Sequence, residues 1–237
     1  LQEEPENFLK QMEAVRDKAF NQNGLVVLRA GNPETAGETE ELLFKNLKEY
    51  PETTAARVNY ELAEIPKSAA FTGSSTSSYC YRTAFLPTVG ESVAGKMIVA
   101  SKIIRQEYLL PTIRLKYGAY GANNAFQSTQ QYMANSFRDS GVKRTLEAFD
   151  EIPSFLKEAD ITEDKLNNFK LSGYSDLATP YGELEMALVE LSMVKCGGSE
   201  YESNQKLLSE IRETTVEDVK SVAGTIDELW ENSAQVV

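Results

Sequence analysis

Residues 91–109, ESVAGKMIVASKIIRQEYL, place Val93, Met97, Ala100, Ile104 and Tyr108 along one side of a 3.6-residue repeat, a helix predicted to end at Leu110 because Pro111 follows. Other segments must cover that apolar side. Residues 6–20 carry Phe8, Leu9, Met12, Val15, Ala19 and Phe20 at helical spacing, GLVVLRAG at 24–31 reads as a short buried strand, and 38–49 return to helix through Leu42, Leu43 and Leu47. From 65 to 86 the text reads as one or two strands with a Gly/Ser bend at 73–78, and Tyr79, Tyr81, Thr83 and Phe85 alternate as in a half-buried strand. AFQSTQQYMANSFRDSG at 125–141 reads as the return strand of a hairpin. Helices are predicted at 142–158, after a cap at Asp160 or Thr162, at 182–195 with its Met and Tyr in a core and CGG as its stop, and twice more beyond 203 with Thr214 or Thr215 as a cap. The order suits one mixed α/β (α+β) domain over residues 1–237. Its sheet is largely antiparallel, helices pack on one face, and the C-terminal part is helical.

Composition removes several function classes. The chain has no histidine, which eliminates HExxH and HxxEH zinc sites, Ser-His-Asp and Cys-His catalysis within it. A carboxylate mechanism or a Ser-Lys pair stays open, and no spacing points to either. A net charge of −12 argues against nucleic acid or an anionic membrane as partner. Cys80 and Cys196 have no metal or redox spacing and read as reduced structural thiols of a reducing compartment. No apolar run is long enough to span a bilayer. The opening LQEEPENF shows no targeting pattern, and further sequence is expected upstream. GSSTSSYC lacks the phosphate-loop spacing and reads as a bend, GESVAGK as a helix start, and the acids at 38–41 as a solvated face.

IRLKYGAYG, residues 113–121, concentrates Arg114, Lys116, Tyr117, Tyr120 and two glycines. Read as an extended strand it puts Arg114 and Tyr120 on one face, roughly 20 Å apart unless the chain turns at Gly118. A guanidinium offers forked donors to a carbonyl or carboxylate, and a tyrosyl hydroxyl can donate to a developing oxyanion. The competing reading is a hairpin whose glycines mark a bulge and whose Arg and Tyr lie over a helix. Arg105, earlier on the helix, is a further candidate, against a solvated residue paired with Glu107 or Glu91.

AFLPTVGESVAGKMIVASKIIRQEYLLPTIRLKYGAYGANNAF, continued by SFRDSGVKRTLEAFDEIPSFL and LNNFKLSGY, resembles the last domain of the presequence-protease branch of the pitrilysin (M16, insulinase-like) metallopeptidases. That branch carries IR-x-K-G-G-A-Y-G after a long helix, and the likeness covers roughly residues 68–225. Tyr117 stands where the family has its first glycine. The resemblance implies a LuxS/mitochondrial-processing-peptidase-like metallohydrolase domain. It implies a parent oligopeptidase of four such domains closing around an unfolded peptide, with the HxxEH zinc site in the first. The last domain supplies an arginine and a tyrosine to the substrate backbone, here Arg114 and Tyr120. Gly118, Ala119, Gly121 and Arg105 are the further substrate-binding candidates. No cofactor is then expected in this chain and Zn2+ in the full-length enzyme. The expected partners are peptide and the N-terminal domains of the same polypeptide, in the cytoplasm of a bacterium or an organelle matrix. Two alternatives stand beside this: a catalytically inactive peptide-binding or structural subunit of the same superfamily, and a stand-alone carboxylate enzyme.

Overall fold

The computed structural model describes residues 5–24, 32, 36–48, 50–52, 66–178, 181–195 and 200–237. The chain divides into two compact units, Leu1–Ala63 with Tyr181–Gly198, and Glu64–Pro180 with Ser199–Val237. In the first unit, α1 is Pro5–Ala19, α2 Ala36–Leu47 and α7 Glu183–Lys195. The chain after α1 is tied to residues 50 and 51. Gln22 donates its backbone N–H to Pro51 (3.1 Å) and its side-chain amide to Tyr50 (2.6 Å), and Phe20 stacks on Tyr50. Leu9, Met12 and Val15 stay exposed, as does Met186, which the sequence reading put in a core together with the exposed Tyr181. The strand expected at 24–31 falls, apart from Gly24, outside the described residues.

The second unit is built on a five-stranded sheet ordered β1-β5-β2-β4-β3. Its strands are β1 Ser68–Ala69, β2 Ser78–Phe85, β3 Gly121–Gln127, β4 Gln131–Asp139 and β5 Ala234–Val236. The pairs β2/β4, β3/β4 and β2/β5 are antiparallel, and β1/β5 is parallel. Helix α3, Gly95–Ile103, buries Met97, Val99, Ala100 and Ile103, and packs against β3 and against α6 (Glu163–Leu177), α8 (Glu200–Glu213) and α9 (Val216–Glu231). Gly95 is required at the α8 contact. A Cβ there would collide with the backbone of Glu210 and Ile211, and the Gly95 N–H donates to the Glu210 carboxylate (2.8 Å). Side-chain caps start two helices: Thr162 accepts from Lys165 N–H at α6, and Thr215 with Asp218 forms a capping box at α9. The same hydroxyl and backbone N–H of Thr215 hold the Asp218 carboxyl below its usual range.

The covered face of β2 carries Cys80, Arg82 and Ala84, so the aromatic set Tyr79, Tyr81 and Phe85 lies on the open face. The strand is half-buried, as its alternation suggested, and Arg82 can take the covered side because its charge and donors are satisfied internally. Its guanidinium lies 4.4 Å over the Trp230 ring, donates to Ser233 Oγ (3.0 Å) and the Trp230 carbonyl (3.2 Å), and pairs with Asp150. Trp230 donates its indole N–H to the Phe149 carbonyl (2.8 Å). The helix predicted at 142–158 is two, α4 Val142–Asp150 and α5 Ile152–Glu158, because Pro153 lacks an N–H and starts a new helix. Arg82→Met should lower unfolding free energy by about 1 to 2 kcal/mol, because it leaves the buried Ser233 hydroxyl and Trp230 carbonyl without their donor, read from urea denaturation of the chain; an unchanged or raised stability would contradict this account.

Candidate functional site

The helix does not end at Leu110. It widens into a π-helical segment, Ile104–Lys116, that runs through Pro111. A proline ring collides with the carbonyl one α-turn back and contributes no N–H, and the wider π-turn relieves that collision. Burial of Ile104, Leu109 and Ile113 holds the segment in the core, and Arg114, Leu115 and Lys116 then face solvent. Arg114 therefore sits at a helix end rather than on a strand.

The chain reverses immediately afterwards. Tyr117 stays in the right-handed helical region (φ −95°, ψ −13°), and its N–H reaches the Thr112 carbonyl (3.0 Å). Gly118 takes φ +81°, with its N–H on the Arg114 carbonyl (3.2 Å), and Ala119 N–H returns to Ile113 (3.1 Å). The left-handed region favours glycine, so Gly118 is the position where the turn needs one. Tyr117 needs no glycine at its own position because its backbone there is ordinary. Its ring has its own partners: Arg144 lies 4.9 Å from its centre and donates to its carbonyl (2.6 Å), and Lys116 lies 5.7 Å away.

Tyr120 projects from the end of this turn, 61% exposed, just before β3 begins. Its ring meets Phe137 at 5.5 Å, Arg138 lies 5.2 Å over it, and its N–H donates to the Arg138 carbonyl (3.3 Å). Phe137 lies across Gly121, where a Cβ would run into the Phe137 ring. Gly121 and Ala119 are both buried. Arg138 is itself left-handed (φ 49°), and Asp139 behind it is buried, accepting from Ser136 (2.7 Å), Thr145 (2.6 Å) and Gly141 N–H (2.7 Å). The brace made by Phe137, Arg138 and Arg144 is absent from the sequence reading. The signal available was Phe137 falling opposite a strand glycine.

The turn brings Arg114, Gly118, Ala119, Tyr120 and Gly121 into one short reversal. Arg105 is elsewhere, lining a cavity of about 370 Å³ with Lys102, Asn123, Asn124 and Asp176. Its expected partner Glu107 pairs instead with Lys165 (3.1 Å). Cys80 is buried, and that burial pushes its thiol up, away from nucleophilic use. A zinc ion does not fit the residues present: the sequence has no histidine, and no group of three His, Cys, Asp or Glu side chains could hold a metal among the described residues.

The second unit is thus a mixed sheet whose edge strand β3 is fed by a helix end. The crystal structure of pitrilysin matches with a TM-score of 0.58 at 14% identity, over 86% of this chain and 22% of that one. The family model of the PreP C-terminal domain matches residues 74–237, and the chain belongs to that family. Among curated relatives, protein HypA of Clostridium perfringens is 24% identical over 218 residues, covering 92% of this chain and 22% of its own length. The mitochondrial presequence protease of Emericella nidulans is 28% identical over 209 residues, covering 86% and 19%. The chain thus spans about a fifth of the length of these relatives.

The turn geometry is testable by itself. Gly118→Ala should cost about 1 to 2 kcal/mol of stability because alanine resists positive φ. Gly121→Ala should destabilise through the Phe137 ring and recover in part with Phe137→Ala, both measured by urea denaturation. A Gly121→Ala chain as stable as the parent would remove the packing account.

Proposed function

We propose that this chain is the C-terminal, non-metal domain of a zinc-dependent oligopeptidase that degrades unfolded peptides in a closed chamber. In this reading both compact units belong to one M16-type C-terminal domain, and Arg114 and Tyr120 hold the substrate backbone beside the scissile bond. The observation that carries it is the turn itself: an exposed guanidinium at a helix end and an exposed, braced tyrosine, separated by the chain reversal at Gly118, in a chain of the PreP C-terminal family.

The chemistry follows from the side chains. Arg114 forks two N–H donors to a substrate carbonyl and fixes the peptide's register. The Tyr120 hydroxyl donates to the carbonyl under attack, where it strengthens as negative charge develops. Bracing by Phe137 and Arg138 keeps that hydroxyl in place with little reorganisation. Zinc, where the full-length enzyme carries it, would activate the attacking water, and its ligands would come from the preceding domains of the polypeptide. The open face of the sheet, with Tyr79, Tyr81 and Phe85, offers an extended peptide an uncharged wall. No described helix is long and apolar enough to cross a membrane. The reading places the enzyme in a reducing compartment, an organelle matrix or a bacterial cytoplasm, where Cys80 stays a thiol.

Arg114→Ala and Tyr120→Phe in the full-length polypeptide should each lower kcat/KM for an unstructured peptide by about 10²- to 10³-fold, with zinc content by atomic emission unchanged. Near-parental turnover in both variants would remove the assignment. The chain by itself should retain no stoichiometric zinc after dialysis and cleave no peptide.

A further inference from the structure

The cavity that Arg105 lines also holds a polar group left unsatisfied. Asn124 is 4% exposed and lines the same cavity of about 370 Å³. Its amide nitrogen donates to the Tyr132 hydroxyl (3.4 Å), while its Oδ1 is buried with no hydrogen-bond partner among the described residues. A buried amide oxygen is costly in that state until a donor reaches it. The cavity is of the size that small-molecule sites take, and Asn124 Oδ1 asks such a molecule for an N–H or O–H group.

The charges around the cavity ask for an anion. Lys102 comes from α3 and Arg105 from the start of the π-helical segment, one turn further on, which puts both on the same wall. Asp176, at the end of α6, is the carboxylate of the lining, and it pairs with Lys102. Arg105 is exposed and forms no ion pair among the described residues, so one positive charge is left over at the cavity. The lining also includes Ile98, Phe126 and Leu177, which offer an apolar surface between these polar groups.

We infer that this cavity binds a small α-amino or α-hydroxy carboxylate with an apolar body. The carboxylate pairs with Arg105, the amino or hydroxyl group donates to Asn124 Oδ1, and the apolar part lies against Ile98, Phe126 and Leu177. A simple carboxylate would satisfy Arg105 and leave Asn124 unpaired, and a simple amine or alcohol would do the reverse. The two kinds of ligand share one chemistry, a carboxylate with a donor beside it. The inference does not rest on the role proposed for Arg114 and Tyr120.

The test is isothermal titration calorimetry of the full-length polypeptide with probes that share one branched apolar body. L-Leucine and α-hydroxyisocaproate carry both groups, and at least one of them should bind with a Kd of about 1 mM or tighter. The tighter of the two identifies ammonium or hydroxyl as the donor. Isocaproate, which lacks the donor, should bind about tenfold more weakly because Oδ1 stays unpaired. The primary amide of the tighter probe, which lacks the carboxylate, should bind about fivefold more weakly, the scale of a solvated ion pair. Asn124→Leu should bring the first ratio near one and Arg105→Gln the second. Arg105 is exposed, so Arg105→Gln keeps the fold and still reads the site if Asn124→Leu lowers stability. The site is overturned by the absence of binding heat from both donor-bearing probes, by isocaproate binding as tightly as they do, or by either ratio persisting in its folded variant.

Discussion

The second unit depends on one buried cation. Arg82 sits on the covered face of the central strand β2, and its contacts reach Asp150 at the end of α4, Trp230 at the end of α9, and Ser233 just before β5. A guanidinium in that position is tolerable only when its donors are satisfied, so it specifies where three separate chain segments must stop. Trp230 then carries the connection onward, stacking on Tyr132 at 5.0 Å and bonding the Phe149 carbonyl. The C-terminal strand, the last long helix and the sheet are registered to each other through this one side chain.

That registration is what lets the reversal at residues 117–120 be so exposed. β4 is paired on both sides, with β2 and β3, so Phe137 and Arg138 are held by strands rather than by a loop. Asp139 closes the far end by anchoring the entry to α4. A tyrosine with most of its surface in solvent is thereby positioned by residues that belong to the sheet and its first connection. Local rigidity at the tip comes from buried hydrogen bonds beneath it.

Where local chemistry and tertiary structure agree, the sequence was readable. Thr162 and Thr215 cap their helices because each hydroxyl needs only its own backbone, and Met97, Ala100 and Ile104 are buried as the helical repeat predicts. Elsewhere a residue's usual preference was overruled by its surroundings. Pro111 did not end the helix because a π-turn made room for its ring. The hairpin turn lies at Ser128–Gln130 without a glycine. Gln130 takes φ 62° and is held there, accepting from Leu86 N–H (2.8 Å) and, through its side chain, from Val93 N–H (2.9 Å). β2 is half-buried as its alternation suggested, and its aromatics face outward because Arg82 has Trp230, Ser233 and Asp150 to meet on the covered side. Of the site, Arg114, Gly118 and Tyr120 could be singled out from their types. The brace around Tyr120 could not, because Phe137 and Arg138 reach it only through strand pairing.

The outward turn of β2 also bears on how the chain behaves in water. Tyr79, Tyr81 and Phe85 stand on the open face, and their paired neighbours Phe137, Asn135 and Gln131 bring no charge to it. Solvated sheet faces ordinarily include lysine or glutamate, which keep two copies apart. This face has no such repulsion, so the colloidal stability of the chain rests on the acidic surface elsewhere. Raising ionic strength screens that acidic repulsion and leaves the aromatic attraction intact, which makes salt, rather than heat, the condition under which copies of the chain first adhere.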